Sequence, residues 1–118
     1  MIAAGFGFRA EARLESLLSA LNAAEGPAPQ VIATLPAKAD HPAMQALARQ
    51  TGLPLRTVTP DGQTTPTQST ASDAAHGTGS VAEATALAAA GPAAHLCAPR
   101  AVSADRMATC AIATGGPE

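Results

Sequence analysis

Short apolar runs alternate with helical patterns along this chain, and this alternation is the strongest constraint on its fold. The clearest helix is predicted over residues 11–24, because leucines recur there at the i, i+3, i+4, i+7 spacing of one helical face. They are Leu14, Leu17, Leu18 and Leu21. The apolar runs on either side, residues 1–8 and 30–35, predict buried strands. We expect the first strand to end in a turn at Gly5-Phe6-Gly7.

The alternation continues beyond the second strand. Asp40-His41-Pro42 predicts the start of a second helix, which Gly52 ends, and residues 53–58 predict a third strand. A third helix is predicted from Ser80 until Gly91-Pro92 stops it. Two closing strands, residues 95–99 and 108–113, are joined by a connection too short for a helical crossover, so they predict an antiparallel hairpin.

This order predicts an α/β fold. We expect a single three-layer α/β/α domain over residues 1–118, with a mainly parallel sheet of about five strands and an antiparallel C-terminal hairpin at its edge. Residues 59–76 are polar and without periodicity, which predicts a flexible loop, either a functional lid or a disordered insert.

The amino-acid composition makes some classes of function improbable for this chain. Alanine dominates the apolar residues and there are two Phe and no Trp or Tyr, so the core is built from small side chains. With so few aromatic residues and a net charge of −2, the chain is not expected to bind nucleic acid. Its N-terminus lacks the pattern of a signal peptide and no apolar run has membrane-spanning length, which predicts a cytoplasmic protein. Cys97 and Cys110 lack redox or zinc spacing and are expected to be small buried side chains.

A glycine turn leads into the third predicted helix. Ser80 and Glu83 have the S-x-x-E spacing of a capping box, and Gly77 and Gly79 allow the backbone to approach a ligand closely. Free N–H groups at a helix N-terminus favour an anion, so this turn is a candidate binding site. The alternative is that the two glycines only let the chain turn tightly.

Basic residues follow the predicted parallel strands. Arg9, Lys38 and Arg56 each come at or after a strand end, and the carboxyl ends of such strands share one edge of the sheet. Guanidinium and ammonium groups at one edge suit a ligand with several carboxylates. Taken singly, each residue also fits a solvated surface charge.

Other kinds of site are disfavoured. Residues 5–10 fit the dinucleotide pattern G-x-G-x-x-A only weakly, and no P-loop motif occurs. His41, His76 and His95 are scattered, so neither a metal site nor a cofactor is predicted. No catalytic residue is assigned from spacing, because a triad is assembled in space and not in sequence.

Four motifs in order along the chain resemble one protein family. They are G-F-G-x-R at 5–9, A-T-L-x-x-K-A-D at 33–40, G-T-G-S-V-A-E-A at 77–84 and A-T-C-A-I-A at 108–113. Together they resemble the CobE / CbiG C-terminal domain family of cobalamin (vitamin B12) biosynthesis. The third block is the most specific of the four.

The resemblance implies a compact α/β domain that either stands alone, as in CobE, or follows another domain in CbiG, a hydrolase that opens the lactone of a cobalt-corrinoid precursor. Its implied ligand is a precorrin or another carboxylated tetrapyrrole. The positions carried over as ligand-binding are Gly5, Gly7, Arg9, Thr34, Lys38, Gly77, Gly79, Ser80 and Glu83. This chain has His41 where many relatives have Glu, which favours binding over catalysis.

The resemblance therefore leads to one hypothesis and two alternatives. The hypothesis is a carrier or accessory factor that binds a precorrin intermediate at the carboxyl ends of the strands. The first alternative is a cobalt-precorrin hydrolase-type enzyme acting on the lactone or acetyl fragment, with Glu83 or His41 as general base. The second is a subunit that docks on another corrin-pathway enzyme.

Overall fold

One mixed sheet forms the centre of the protein. The computed structural model describes residues 1–58, 78–91 and 93–115. Its strands are β1 (Ile2–Phe8), β2 (Val31–Thr34), β3 (Leu55–Thr57), β4 (His95–Val102) and β5 (Ala108–Thr114). They lie in the order β3-β2-β1-β5-β4. β1, β2 and β3 are parallel, while β5 is antiparallel to both β1 and β4, so the predicted edge hairpin is confirmed.

Helices cover both faces of the sheet. They are α1 (Leu14–Ala23), α2 (Pro36–Ala39), α3 (Pro42–Thr51) and α4 (Thr78–Ala90). Leu17 of α1 and Met44 of α3 share one buried core with Phe6. Ala82 and Ala86 of α4 share the other core with Ala3. The three-layer α/β/α fold predicted from the sequence is therefore confirmed. None of the described helices is long and apolar enough to cross a membrane.

The two faces of β1 differ sharply in side-chain size. Phe6 and Phe8 point to the α1 and α3 side, where both are buried. Successive residues of a strand alternate between faces, so Ala3, Gly5 and Gly7 face α4. The predicted turn at Gly5-Phe6-Gly7 is wrong, because these residues continue β1 as far as Phe8. Gly5 marks a close approach between the strand and a helix, one of the uses of glycine inside a strand.

Helix α4 packs its backbone directly onto β1 at Gly5. A Cβ atom placed on Gly5 would overlap the carbonyl oxygen of Ala82, the backbone nitrogen of Ala86 and the hydroxyl of Thr85. At the other end of α4, a Cβ atom on Gly115 would overlap the carbonyl oxygen of Ala90. The helix is thus seated on two residues that lack side chains. Small side chains make up most of the core on the α4 side, as predicted, whereas the core beneath α1 and α3 also contains large side chains such as Phe6, Phe8 and Met44.

The hairpin between β4 and β5 is tied to the start of α1. Asp105 accepts hydrogen bonds from the hydroxyls of Ser103 and Ser16, both at 2.6 Å, and from the Met107 N–H at 3.0 Å. These bonds lower the pKa of Asp105 below its ordinary value, with the Ser103 contact the largest cause. A second tie joins the Ala104 N–H to the Ser19 hydroxyl at 2.9 Å. The turn is therefore held by polar contacts to a helix distant in sequence.

The structure corrects several smaller expectations. α1 begins at Leu14, later than predicted, and a four-residue helix lies within the expected loop after β2. Cys97 is exposed, whereas Cys110 is buried as expected and its burial raises the pKa of the thiol. β4 runs on to Val102, beyond its predicted end. The predicted loop over residues 59–76 lies outside the described residues.

We expect Gly5→Ala to lower the free energy of unfolding by about 3 kcal/mol or more, because α4 has to move away from β1 to admit a methyl group. Gly26→Ala is the matched control. Gly26 is exposed, and the nearest atoms to its added methyl group would be side-chain carbons at 3.3 to 3.4 Å. Urea denaturation measures both variants, and equal stability for Gly5→Ala and wild type would contradict this description of the packing.

Candidate ligand-binding site

The carboxyl ends of β1, β2 and β3 meet at one edge of the sheet. Gly5 is in register with Ala33, and Thr34 is in register with Thr57, so β2 and β3 end together while β1 continues to Phe8 in the same direction. Helix α4 runs back along β1, with Ala82 over Gly5 and Ala90 beside Met1 and Gly115. Its first turn therefore lies toward the carboxyl end of β1. We call this edge the C-terminal rim and define it as residues 9–10, 36–41 and 78–80.

Arg9 is the first residue of the C-terminal rim. It follows β1 directly, and its backbone N–H donates to the Met107 carbonyl at 2.9 Å, which fixes the chain at this point. The side chain is exposed, and its guanidinium makes no hydrogen bond or ion pair with any described residue. Because its backbone is fixed and its guanidinium has no partner among the described residues, Arg9 is suited to bind an anionic ligand.

Lys38 lies in α2, immediately after β2. Its Nζ atom lies 5.3 Å from the centre of the Phe8 ring, within the range of a cation–π contact. The side chain is half-buried, and the contact holds the ammonium group at the end of β1, next to the position from which Arg9 emerges. Arg9 and Lys38 thus follow the ends of two adjacent parallel strands, and both lie at the C-terminal rim.

His41 joins the loop after β1 to the start of α3. Its Nδ1 atom accepts a hydrogen bond from the Ala43 N–H at 3.1 Å, and its Nε2 atom lies 2.7 Å from the Ala10 carbonyl oxygen. Because a carbonyl can only accept and an N–H can only donate, this pair of contacts assigns the neutral ring with its proton on Nε2. The ring also packs edge-on against Phe8, with centroids 5.0 Å apart.

The sequence predicts His41 near the cap of α3, and the structure confirms that position. The bond to Ala10 was not predicted, since it spans 31 residues and leaves no local pattern.

The first turn of α4 contributes backbone to the C-terminal rim. Gly79 and Ser80 lie in this turn, whereas Gly77 is outside the described residues. The first N–H groups of a helix have no partner within it, and the helix dipole favours a negative charge there. This turn lies on the α4 face of the sheet, opposite to the face that carries Lys38 and His41. A ligand that reaches all of these groups has to lie across the edge of the sheet.

Three further predicted positions have structural roles in the described contacts. Gly5 is covered by α4, as described above. The buried Thr34 hydroxyl donates to the Phe6 carbonyl at 3.0 Å and so joins β2 to β1. The Gly7 carbonyl accepts from the Thr109 hydroxyl at 3.2 Å. Direct contact of these residues with a ligand stays a prediction.

Glu83 is fully buried on the side of α4 toward β4. Its Oε2 atom accepts a hydrogen bond from the Arg100 N–H at 3.0 Å, where the register between β4 and β5 shifts. Ser80 lies in the first turn of α4, which begins at Thr78, and its capping box with Glu83 stays a prediction. Glu83 stabilises an irregular part of the edge strand.

Arg56 does not join the other two cations. It lies within β3, and its Nη1 atom is 3.5 Å from the carbonyl oxygen of Ala89, in the last turn of α4. The expectation that Arg56 shares a cleft with Arg9 is therefore wrong. A cation near the carbonyl end of a helix interacts favourably with the helix dipole, which accounts for this placement.

The described residues contain no group of three or more His, Cys, Asp and Glu side chains that could hold a metal ion. His76, one of the three scattered histidines, belongs to the part of the chain that the structure does not describe. Cations and helix N–H groups remain as the binding chemistry of the C-terminal rim.

The fold and the C-terminal rim define an α/β domain with cationic side chains at one edge of its sheet. Residues 2–113 match the family described as cobalamin synthesis G C-terminus. Cobalamin biosynthesis protein chiG from Agrobacterium tumefaciens str. C58 is 33% identical, with a TM-score of 0.76, over 99% of this chain and 100% of that one. The chain therefore belongs to the cobalamin synthesis G C-terminus family of cobalamin biosynthesis proteins.

A second solved structure supports the same assignment. CobE, a protein from the cobalamin (vitamin B12) biosynthetic pathway, is 26% identical, with a TM-score of 0.77, over 100% of this chain and 92% of that one. Comparison with curated protein sequences gave no significant match. The family resemblance found in the sequence motifs is thus confirmed.

We expect His41→Ala to lower the free energy of unfolding by about 1 to 2 kcal/mol, because it removes a helix cap and the bond to Ala10. His41→Asn keeps a cap acceptor and is expected to recover roughly half of that loss. His95→Ala, at an exposed position in β4, is the control and is expected to stay within about 0.5 kcal/mol of wild type. Denaturation in urea measures all three, and wild-type stability in His41→Ala would exclude these contacts.

Proposed function

We propose that the protein binds a precorrin or another carboxylated tetrapyrrole at the C-terminal rim, as a carrier or accessory factor of cobalamin biosynthesis in the cytoplasm. The observation that carries the proposal is the placement of Arg9 and Lys38 at the ends of two adjacent parallel strands. Membership of a cobalamin biosynthesis family supplies the class of ligand. In sheets of this kind, ligands bind beyond the carboxyl ends of the strands.

The chemistry of the C-terminal rim suits such a ligand. Carboxylate groups on the periphery of the ring pair with the Arg9 guanidinium and the Lys38 ammonium. Further carboxylates meet the N–H groups at Gly79 and Ser80 in the first turn of α4. Because these groups lie on both faces of the sheet edge, a wide molecule with several acidic arms fits them better than a small anion does.

The described contacts favour binding over catalysis. Both nitrogens of the His41 ring are occupied by backbone groups, so the ring has no free lone pair with which to take a proton from a substrate. Glu83, the other candidate base, is fully buried and accepts a hydrogen bond from the backbone of β4. The hydrolase alternative would therefore require one of these two side chains to leave its present partners.

We expect Arg9→Ala and Lys38→Ala each to weaken the binding of a carboxylated tetrapyrrole by about 3- to 10-fold, the effect of losing one partly exposed ion pair. Arg49→Ala is the matched control, because it removes the same charge from the last turn of α3, at the opposite edge of the sheet. Its affinity is expected to stay within about twofold of wild type. Absorbance titration with uroporphyrin, a porphyrin with only carboxylate arms, measures all of these affinities.

A second experiment separates a carrier from an enzyme. After incubation with a purified precorrin, a carrier leaves the mass and the absorption bands of the extracted ligand unchanged, whereas a hydrolase or fragment-removing enzyme changes its mass. If Arg9→Ala and Lys38→Ala bind as tightly as wild type while Arg49→Ala does not, the C-terminal rim is not the site. If wild type binds no carboxylated tetrapyrrole, the proposed function is wrong.

A further inference from the structure

A groove lies between the start of α1 and the start of α3, on the face of the sheet that carries Lys38. It is open to solvent and has a volume of about 420 Å³. Most of its lining is apolar and includes Leu14, Pro42 and Ala46. Among the described residues that line it, Arg13 and His41 are the only polar side chains.

The two polar side chains offer different chemistry. His41 presents its ring to the groove while both of its nitrogens are bonded to backbone groups, so it acts as an apolar wall. The Arg13 guanidinium makes no hydrogen bond or ion pair with any described residue. Glu11 and Glu15 are exposed near it but do not line the groove. The groove therefore combines apolar walls with one unoccupied cation.

The groove continues the C-terminal rim. Ala10, which follows Arg9, belongs to its lining, and the Ala10 carbonyl is held by His41. The α1 and α3 helices, each ten residues long, both begin at the groove. Their dipoles add positive potential to that of Arg13.

We propose that this groove binds one arm of the ligand at the C-terminal rim, an arm with a short apolar stem and a carboxylate end. The stem lies against Leu14, Pro42 and Ala46, and the carboxylate pairs with Arg13. The inference rests on the proposed function and adds a subsite to it. An arm in the groove fixes the rotation of the ring on the C-terminal rim, so Arg13 selects among ligands that differ in the order of their acidic arms.

Uroporphyrin titrations of variants test the subsite. Arg13→Gln is expected to weaken binding by about 3- to 10-fold, and Arg13→Lys, which keeps the charge, is expected to stay within about threefold of wild type. Ala46→Phe fills the groove without a change of charge and is expected to weaken binding by about tenfold or more, since the arm loses its place. Arg49→Gln, on α3 but outside the groove, is the control.

The outcomes separate the two proposals. Weaker binding by both Arg13→Gln and Ala46→Phe, with Arg49→Gln unchanged, supports the subsite. If Arg9→Ala and Lys38→Ala weaken binding while Arg13→Gln and Ala46→Phe bind like wild type, the subsite is wrong and the proposed function stands. If wild type does not bind, both are wrong. Circular dichroism of each variant confirms that the fold is retained.

Discussion

The contact between the backbone of α4 and Gly5 of β1 is the constraint on which the rest of the structure depends. The side chains of an Ala-rich helix are short, so the helix has to approach the sheet closely to bury enough apolar surface. Gly5, without a side chain, permits that approach, and Gly115 repeats it at the other end of the helix. The two contacts fix the direction of α4 and bring its first turn to the C-terminal rim.

The opposite face of β1 carries large side chains. Phe6 and Phe8 fill the space beneath α1 and α3, and Phe8 extends to the end of the strand. There its ring makes a cation–π contact with Lys38 and an edge-on contact with the His41 ring. One strand thus sets the position of the helix N-terminus through its small residues and the position of the rim cations through its large ones. The C-terminal rim follows from the alternation of side-chain size along β1.

Local patterns were sufficient to predict the layers of the fold and its edge hairpin, because each element carries its own periodicity or punctuation. They also predicted that Arg9 and Lys38 follow the ends of β1 and β2. Local patterns do not predict contacts between residues that are distant in sequence. Gly5 was interpreted as part of a turn, since a glycine in a strand looks the same in sequence as a glycine in a turn. Likewise, the hydrogen bond from the Arg100 N–H to Glu83 forms where the register between β4 and β5 shifts, and no local pattern indicates that shift.

The most direct test of the account is an amide NMR map of the protein titrated with metal-free uroporphyrin, whose ring current shifts the signals of nearby nuclei. The account predicts that the largest shifts occur at residues 9–10, 38–41 and 78–80, with little change at the opposite edge around Arg49. Shifts centred on that opposite edge, or on the outer edge of β4, would contradict it. So would a saturable binding signal without any shift at the C-terminal rim.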